Sequence, residues 1–497
     1  MASVFRDEDL RFDVERDALV SALRGCLPAD CVIDETEAMR PYECDGLSAY
    51  RELPLVVVLP NTVEEVQAVL RLCHERGVPV VARGAGTSLS AGALPHPQGV
   101  LLSMARFKRI VELDHERRIA RVQPGVRNLA ISQAAAPYQL YYAPDPSSQI
   151  TCTIGGNVCE NAGGVHCLKY GLTVHNVLSV TLVTMEGELV VLGSLAPDSP
   201  GLDLLAAVTG SEGMLGVLVE ITVKLLPQPP TREVLLCAFD SVEAAGHAVA
   251  AIIAGGIIPA GLEMMDNPAL RAAEDFVHAG YPVDAAAVLI CELDGHAAEV
   301  QDQVAQVSRI LERHGASEIR QARDDDERAR FWAGRKAAFP AVGRISPDYY
   351  CIDGTIPRKR LAEVLQRMEA LSREYGQRVV NVFHAGDGNL HPLVLYDGNQ
   401  PGEFERTEEL GGRILELCVE VGGTVTGEHG VGMEKSNQMC TQFESGALKQ
   451  FHRIKAAFDP AGLLNPGKAI PTLNRCAEYG ALHVHHGQLP HPDIPRF

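Results

Sequence analysis

The sequence predicts an α+β protein with two principal domains, and three observations point that way. The chain has 497 residues, too many for one domain at about 100–200 residues each. From Leu55 onward, apolar runs of strand length alternate with amphipathic helices. The run Leu226-Pro227-Gln228-Pro229-Pro230 then interrupts all periodicity, and the pattern beyond it differs from the pattern before. This gives a lead-in over 1–50, a first domain over 51–229, a second over 230–420, a C-terminal segment over 421–475 and a polar, His-rich tail over 476–497.

The elements follow in order. The lead-in carries one helix near Val14–Cys26. Leu55–Leu59 (LVVVL) reads as a buried strand. Thr62 and Glu65 have capping-box spacing, and Val66, Val69, Leu70 and Cys73 form the apolar face of the helix they open. Gly77 closes that helix and Val78–Ala82 is the next strand, a βαβ unit running into a Gly-rich turn. Strands flank Asp114, and Leu178–Met185 and Val217–Leu226 are two more. Past the Pro break come a strand at Leu235–Phe239, a helix at Val242–Ala254, a strand at Ala287–Cys291 and a helix at Val300–His314. Tyr349–Ile352 is a strand, Arg360–Tyr375 a helix closed by Gly376, and Arg378–Phe383 a strand. Such a series suits mixed or antiparallel strands with packed helices. A helix near Leu448–Phe458 precedes Asn465-Pro466-Gly467-Lys468.

Composition excludes several functions. With 44 Lys and Arg against 64 Asp and Glu, the net charge is −20, the opposite of a nucleic-acid footprint. The N-terminal residues lack the apolar stretch of a signal peptide, and the longest apolar run, Ala248–Ile258, is too short for the roughly 18 residues of a membrane span. The 13 cysteines are scattered, without a CxxC pair or an iron–sulfur run. A reducing, cytoplasmic setting is expected. His483, His485, His486 and His491 read as a solvated tail.

Four glycine clusters suggest backbone walls around one extended polar ligand. The first is Arg83-Gly84-Ala85-Gly86-Thr87-Ser88, after a strand. It lacks the third glycine and the distal acid of a nicotinamide-binding turn, and the Gly-Lys-Ser/Thr of a P-loop. The others are Gly155-Gly156-Asn157 after Pro144-Asp145, then Asn161 with Gly163, Gly164 and Val165 ahead of Tyr170-Gly171, and lastly Glu212-Gly213 with Gly216.

A second constellation lies further on. Arg378–His384, a turn at Ala385–Asn389 and Leu390–Tyr396 form a hairpin that folds His384 and His391 towards each other. Thr424–Gly430 (TVTGEHG) adds Glu428 and His429. His384, His391 and Glu428 make a His₂-carboxylate set with open positions, the arrangement of a catalytic metal. HExxH is absent, which disfavours a metalloprotease.

RGAGTSL at Arg83–Leu89, IGGN at Ile154–Asn157, NAGG at Asn161–Gly164 and GSEGMLG at Gly210–Gly216 resemble the FAD-binding domain of the vanillyl-alcohol-oxidase type of flavoproteins. The resemblance runs through nearly the whole chain and is greatest to the branch holding the FAD subunits of bacterial glycolate oxidases, with D-lactate and D-2-hydroxyglutarate dehydrogenases. It implies a two-subdomain FAD-binding domain of the PCMH type over 51–229, an α+β substrate (cap) domain with an antiparallel sheet, and C-terminal helices returning through Asn465 to the FAD domain. Thr87 and Ser88 stand where some relatives carry a covalent His, which implies non-covalent FAD. HAGDGNLH and GEHG resemble the branch's metal and catalytic motifs. That implies a divalent ion, usually zinc, on His384, His391 and Glu428, His429 as general base, and hydride transfer from the substrate Cα to flavin N5.

Arg335 is the candidate cation for a substrate carboxylate, since a guanidinium pairs bidentately and the family carries a substrate Arg there. Lys336 and Arg344 are weaker candidates. Hydroxyglutarate-type relatives have Lys where Cys351 stands and Asn where Leu393 stands, so a smaller substrate, glycolate or D-lactate, is implied. Partners implied are an iron–sulfur subunit and a second FAD-domain subunit, with membrane attachment at most through them. A D-2-hydroxyglutarate-type dehydrogenase, a metal-dependent hydrolase and a non-catalytic assembly subunit are the competing readings.

Overall fold

A computed structural model describes residues 11–196 and 201–471. The His-rich tail lies outside the described residues. The chain divides into two compact units. The first holds the chain up to Ala162, Leu172–Pro227 and the segment from His429 onward; the second holds Gly163–Gly171 and Gln228–Glu428.

The first unit carries two larger sheets. Val56–Val58 and Val80–Arg83 both pair in parallel with Val100–Ser103, and Val32–Ile33 adds antiparallel to Val56–Val58. The βαβ unit of the sequence is therefore opened by a third strand between its two. Its helix, Val63–Glu75, buries the expected face of Val66, Val69, Leu70 and Cys73. The Thr62 hydroxyl accepts the Glu65 amide, while the Glu65 carboxylate accepts the Asn61 amide instead of that of Thr62. The box is displaced by one residue on its return side. The other sheet is antiparallel, in the order Ile110–Asp114, Ile119–Val122, Val217–Lys224, Val177–Val183, Leu189–Gly193. One core lies under the parallel sheet and also takes Val183, Val217 and Val219 from the antiparallel one, whose remaining buried residues form a second core.

The C-terminal segment closes this unit. After the helix Ser445–Phe458, Leu464 bridges in parallel to Val80, with Val80 N–H on the Leu463 carbonyl at 2.8 Å and Asn465 N–H on the Val80 carbonyl at 2.8 Å. Asp459 holds the turn, accepting the Leu464 amide at 2.7 Å and the Lys455 ammonium at 2.5 Å.

The second unit is built on a seven-stranded antiparallel sheet with helices, plus a two-stranded pair of Gly354–Thr355 with Asn389–Leu390. The strand order is Ala316–Gln321, Thr231–Phe239, Ala287–Gly295, Gly261–Asp266, Val379–Phe383, Pro392–Tyr396, Asp348–Cys351. Several elements differ from the sequence reading. Ala287–Cys291 extends to Gly295 through buried Glu292 and Asp294. Gly261–Asp266, Ala316–Gln321 and the helices Asn267–Val277, Asp325–Val342 and Glu403–Glu420 were not expected. The Pro-rich break is part strand, since Leu226–Pro227 pairs with Leu140–Tyr141. The division expected at 420 falls at the end of the helix Glu403–Glu420, eight residues before the chain changes unit.

Leu464 is fully buried. Leu464→Ala should lower stability by about 2–5 kcal/mol, read as a lower urea midpoint. Ile454→Ala, on the exposed side of the last helix, should stay within about 0.5 kcal/mol of the parent.

Candidate active site

The second unit brings His384, His391 and Glu428 together, and the hairpin explains how. Asn381 pairs with Pro392, and His384 bridges Asn389 in the same register. His384 and His391 are thus diagonal cross-strand neighbours on one face. Their rings lie 5.1 Å apart at 87°. Gly388 takes φ +83 at the turn, where a Cβ would strike the Ile356 carbonyl. Glu428 Oε1 lies 3.1 Å from His384 Nε2 and 2.9 Å from His391 Nε2. Glu428 Oε2 is buried without a hydrogen-bond partner. The three groups offer ligand atoms all within 4.8 Å of one another.

Two buried carboxylates that sequence reasoning missed hold this set in place. Glu263 lies on the strand Gly261–Asp266, where Met264 pairs with Phe383. That register sets Glu263 opposite His384, and its Oε1 lies 2.8 Å from His384 Nδ1. Carboxylate–imidazole–metal is the usual order at a metal centre, where the outer acid fixes the ring and its tautomer. Asp353, fully buried, grips the turn that carries Glu428: it accepts from the Thr426 hydroxyl at 2.7 Å, the Gly427 amide at 2.9 Å and the Glu428 amide at 3.2 Å. Gly427 has no alternative, since a Cβ there would run into the Asn389 side chain. An acid inside an apolar strand (GLEMMD) was the available signal for Glu263.

Burial alone would depress the His384 imidazole; Glu263 and Glu428 outweigh it and hold its pKa well above the ordinary value. Burial would raise Glu428, yet the charge of His384 and the bonds from both imidazoles hold it well below the usual carboxylate range. Glu263 is lowered in the same way, by His384 and Arg335 against burial.

Arg335, on the helix Asp325–Val342, is 2% exposed and forms an ion pair with Glu263 Oε2 at 2.6 Å. One arm of its fork is therefore committed to Glu263, while its Nε is buried without a hydrogen-bond partner. Lys336 is exposed, and Arg344 donates to the Asp275 carbonyl at 3.0 Å on the surface. Cys351 and Leu393, both buried, are direct cross-strand partners.

The glycine clusters divide between building the scaffold and leaving room. In the first unit, Gly84 faces Thr153, whose hydroxyl is buried without a hydrogen-bond partner, and a Cβ on Gly156 would meet that same hydroxyl at ordinary contact distance. Gly86 has φ +67 and Gly213 φ +74. Arg83 lies over the Tyr42 ring, Ala85 is exposed, and Thr87 is half-buried. Other predicted contacts are spent internally. The Gly155 amide donates to the Pro124 carbonyl at 2.8 Å. Asn128 donates to the Pro144 carbonyl and to Asn157 Oδ1, both at 3.0 Å, with Asp145 half-buried alongside. Asn161, at φ +54, caps a helix and accepts the Val174 amide at 2.9 Å. Gly216 packs on Leu182, and Asn465 donates to the Gly92 and Glu212 carbonyls. The Glu212 carboxylate turns to the C-terminal segment, accepting the Val431 and Gly432 amides. His429 belongs to this unit, its carbonyl receiving the Ser88 and Ser90 hydroxyls at 3.1 and 2.9 Å.

Gly163, Gly164, Val165, Tyr170 and Gly171 belong to the second unit instead. There Tyr170 donates to Asp294 at 2.7 Å, Lys169 pairs with Asp294 at 2.5 Å, and His166 meets Glu292 at 3.2 Å.

Two known families match parts of this chain. Residues 54–193 match the family described as FAD binding domain, and residues 228–469 match FAD linked oxidases, C-terminal domain. The glycolate oxidase subunit GlcD of Escherichia coli is 66% identical over 98% of this chain and 97% of its own length. The chain belongs to the FAD-linked oxidase family. Its relatives there include GlcD of Bacillus subtilis, 38% identical over 88% of this chain and 93% of that one, and a D-lactate dehydrogenase of Archaeoglobus fulgidus, 33% identical over 89% and 97%. The fold of the family is shared with p-cresol methylhydroxylase (TM-score 0.79, 17% identity, 92% of this chain and 97% of that one) and with 4-ethylphenol oxidase from Gulosibacter chungangensis (TM-score 0.77, 17%, 93% and 99%).

Glu263 is the only partner given to the buried Arg335 guanidinium by an ion pair among the described residues. Glu263→Ala would leave that cation without it, and the loss should be about 3–5 kcal/mol, visible as a lowered melting temperature. Glu263→Gln, which keeps the shape and an acceptor, should lose less.

Proposed function

We propose that this chain oxidises a small 2-hydroxy acid, glycolate or D-lactate, to the 2-oxo acid with FAD as its redox cofactor. The observation that carries the reading is the convergence of two imidazoles on one oxygen of Glu428, within the stretch that matches the C-terminal domain of FAD-linked oxidases. The first unit fits a non-covalent cofactor. The unbonded Thr153 hydroxyl beside Gly84 and Gly156 offers a polar contact where side chains are missing. Arg83–Ser88, Asp145, Gly156 and Gly213 would line that cradle.

Bound FAD would supply the acceptor for the hydride that leaves the substrate Cα. His384, His391 and Glu428 would hold a divalent ion such as zinc, which lowers the pKa of a bound hydroxyl. The donor set fits such an ion: two nitrogens and a carboxylate oxygen converge, and the second oxygen of Glu428 has no hydrogen-bond partner. Glu263 fixes the His384 ring, and Asp353 fixes the peptide of Glu428. His429 takes the hydroxyl proton, as a neutral imidazole acting as general base can. Arg335 holds the substrate carboxylate with the part of its fork that Glu263 leaves.

Cys351 and Leu393 support a small substrate, because this in-register pair offers no cation for a second carboxylate. The electrons leave through partners. The chain has no iron–sulfur cysteine run, and two relatives are named as glycolate oxidase subunits. An iron–sulfur protein and a second FAD-domain subunit are the partners we assign. No described helix is long and apolar enough to cross a membrane, and membrane association through those partners is the corresponding reading.

Two measurements test this. The purified protein should show a flavin spectrum that bleaches anaerobically with glycolate or D-lactate and far more slowly with 2-hydroxyglutarate; a colourless protein that cannot be reconstituted with FAD would end the reading. His384→Ala should abolish turnover and leave FAD bound. Full activity in that variant after loss of its metal would show the proposed metal role to be wrong.

A further inference from the structure

We infer that Glu212 is the positioning residue of His429. The inference rests on the reading above that His429 takes the substrate proton. Glu212 is 5% exposed and sits at φ +51, a left-handed conformation that few side chains adopt without compensation. That backbone aims its carboxylate at the turn directly following His429. Oε1 accepts the Val431 amide at 2.6 Å and Oε2 accepts the Gly432 amide at 2.7 Å. Two successive amides close on the two oxygens of one carboxyl group as in a backbone nest, and both bonds are short.

The rest of the turn is tied just as firmly. The His429 carbonyl receives the Ser88 and Ser90 hydroxyls, and the Ser90 carbonyl accepts the Met433 and Glu434 amides at 3.0 and 3.2 Å. Lys435 donates to the Gly430 carbonyl at 2.9 Å. Gly430 and Gly432 have φ +81 and +53, and a Cβ on them would strike the Glu160 carboxyl and the Ser90 carbonyl. Asn465 in turn grips the Glu212 carbonyl at 2.6 Å. Glu212 therefore joins the end of the glycine-rich strand connection, the C-terminal return and the base-bearing turn. Its carboxylate acts on chemistry only through the place it gives the His429 backbone, and Ser88 makes the first glycine loop part of the same frame.

The test uses the FAD-loaded protein and stopped-flow reduction of its flavin by glycolate or D-lactate without oxygen. Glu212→Gln turns one acceptor into a donor facing an amide. It should slow flavin reduction on the order of 100-fold, the effect of an ångström-scale misplacement, with substrate KM changed little and flavin content retained. Ser90→Ala, which removes a single bond from the His429 carbonyl, should give a smaller loss in the same direction and covers the case where Glu212→Gln does not fold. The deciding measurement is the double variant with His429→Gln. If Glu212 acts through His429, adding Glu212→Gln to His429→Gln costs nothing further. Multiplying losses would overturn the positioning role and leave the proton-transfer reading standing. A His429→Gln variant that reduces flavin at the parent rate would instead overturn that reading and this inference with it.

Discussion

The second unit is organised around the problem of keeping three carboxylates away from water. Glu263, Asp353 and Glu428 are all at least nine-tenths buried, and an isolated buried carboxylate would cost several kcal/mol. Each is met differently. Glu263 is shared between a guanidinium and an imidazole, Asp353 collects backbone amides and a hydroxyl, and Glu428 receives two imidazoles on one oxygen. These solutions interlock, because His384 bridges Glu263 and Glu428 while Asp353 carries the turn from which Glu428 projects. No member can move without leaving another unpaired, which is the rigidity a preorganised site needs.

Much of this was legible in the sequence, for a definable reason. His384, His391 and Glu428 lie on short segments whose turn chemistry is local: a hairpin with Gly386 and Gly388 at its end, and a glycine before Glu428. Local rules suffice for such features. The outer carboxylates were not legible because their partners lie far off in sequence, 121 residues in the case of Glu263 and His384. Their placement depends on strand order, which periodicity does not encode. The strand Ala287–Gly295 was read short for a related reason. Its last third is acidic, and only the partners His166, Lys169, Tyr170 and Trp332 make burial of Glu292 and Asp294 tolerable.

The glycine clusters teach a different lesson. They were read together as walls around a ligand, yet the structure assigns them separate tasks. Gly84, Gly155 and Gly216 are all small because other protein atoms approach, and at Gly84 the approaching atom is the Thr153 hydroxyl, which has no hydrogen-bond partner. Asn157, Asn161 and Asn465 spend their amides within the protein. Such a motif mixes residues whose polar groups are spent within the protein with residues whose groups are not, and hydrogen-bond accounting separates them.

That accounting also bears on the peptide joining Glu428 to His429. On its N-terminal side the Glu428 amide is held by Asp353. On its C-terminal side the His429 carbonyl is held by Ser88 and Ser90, and the next turn by Glu212. The candidate metal ligand and the candidate base are therefore neighbours in the chain that answer to different scaffolds. Each flank of this peptide is held within its own unit. Such a design needs no helix or strand at the reacting groups. It needs only that both flanks be over-determined, and the dense set of bonds to two glycine-rich turns does that.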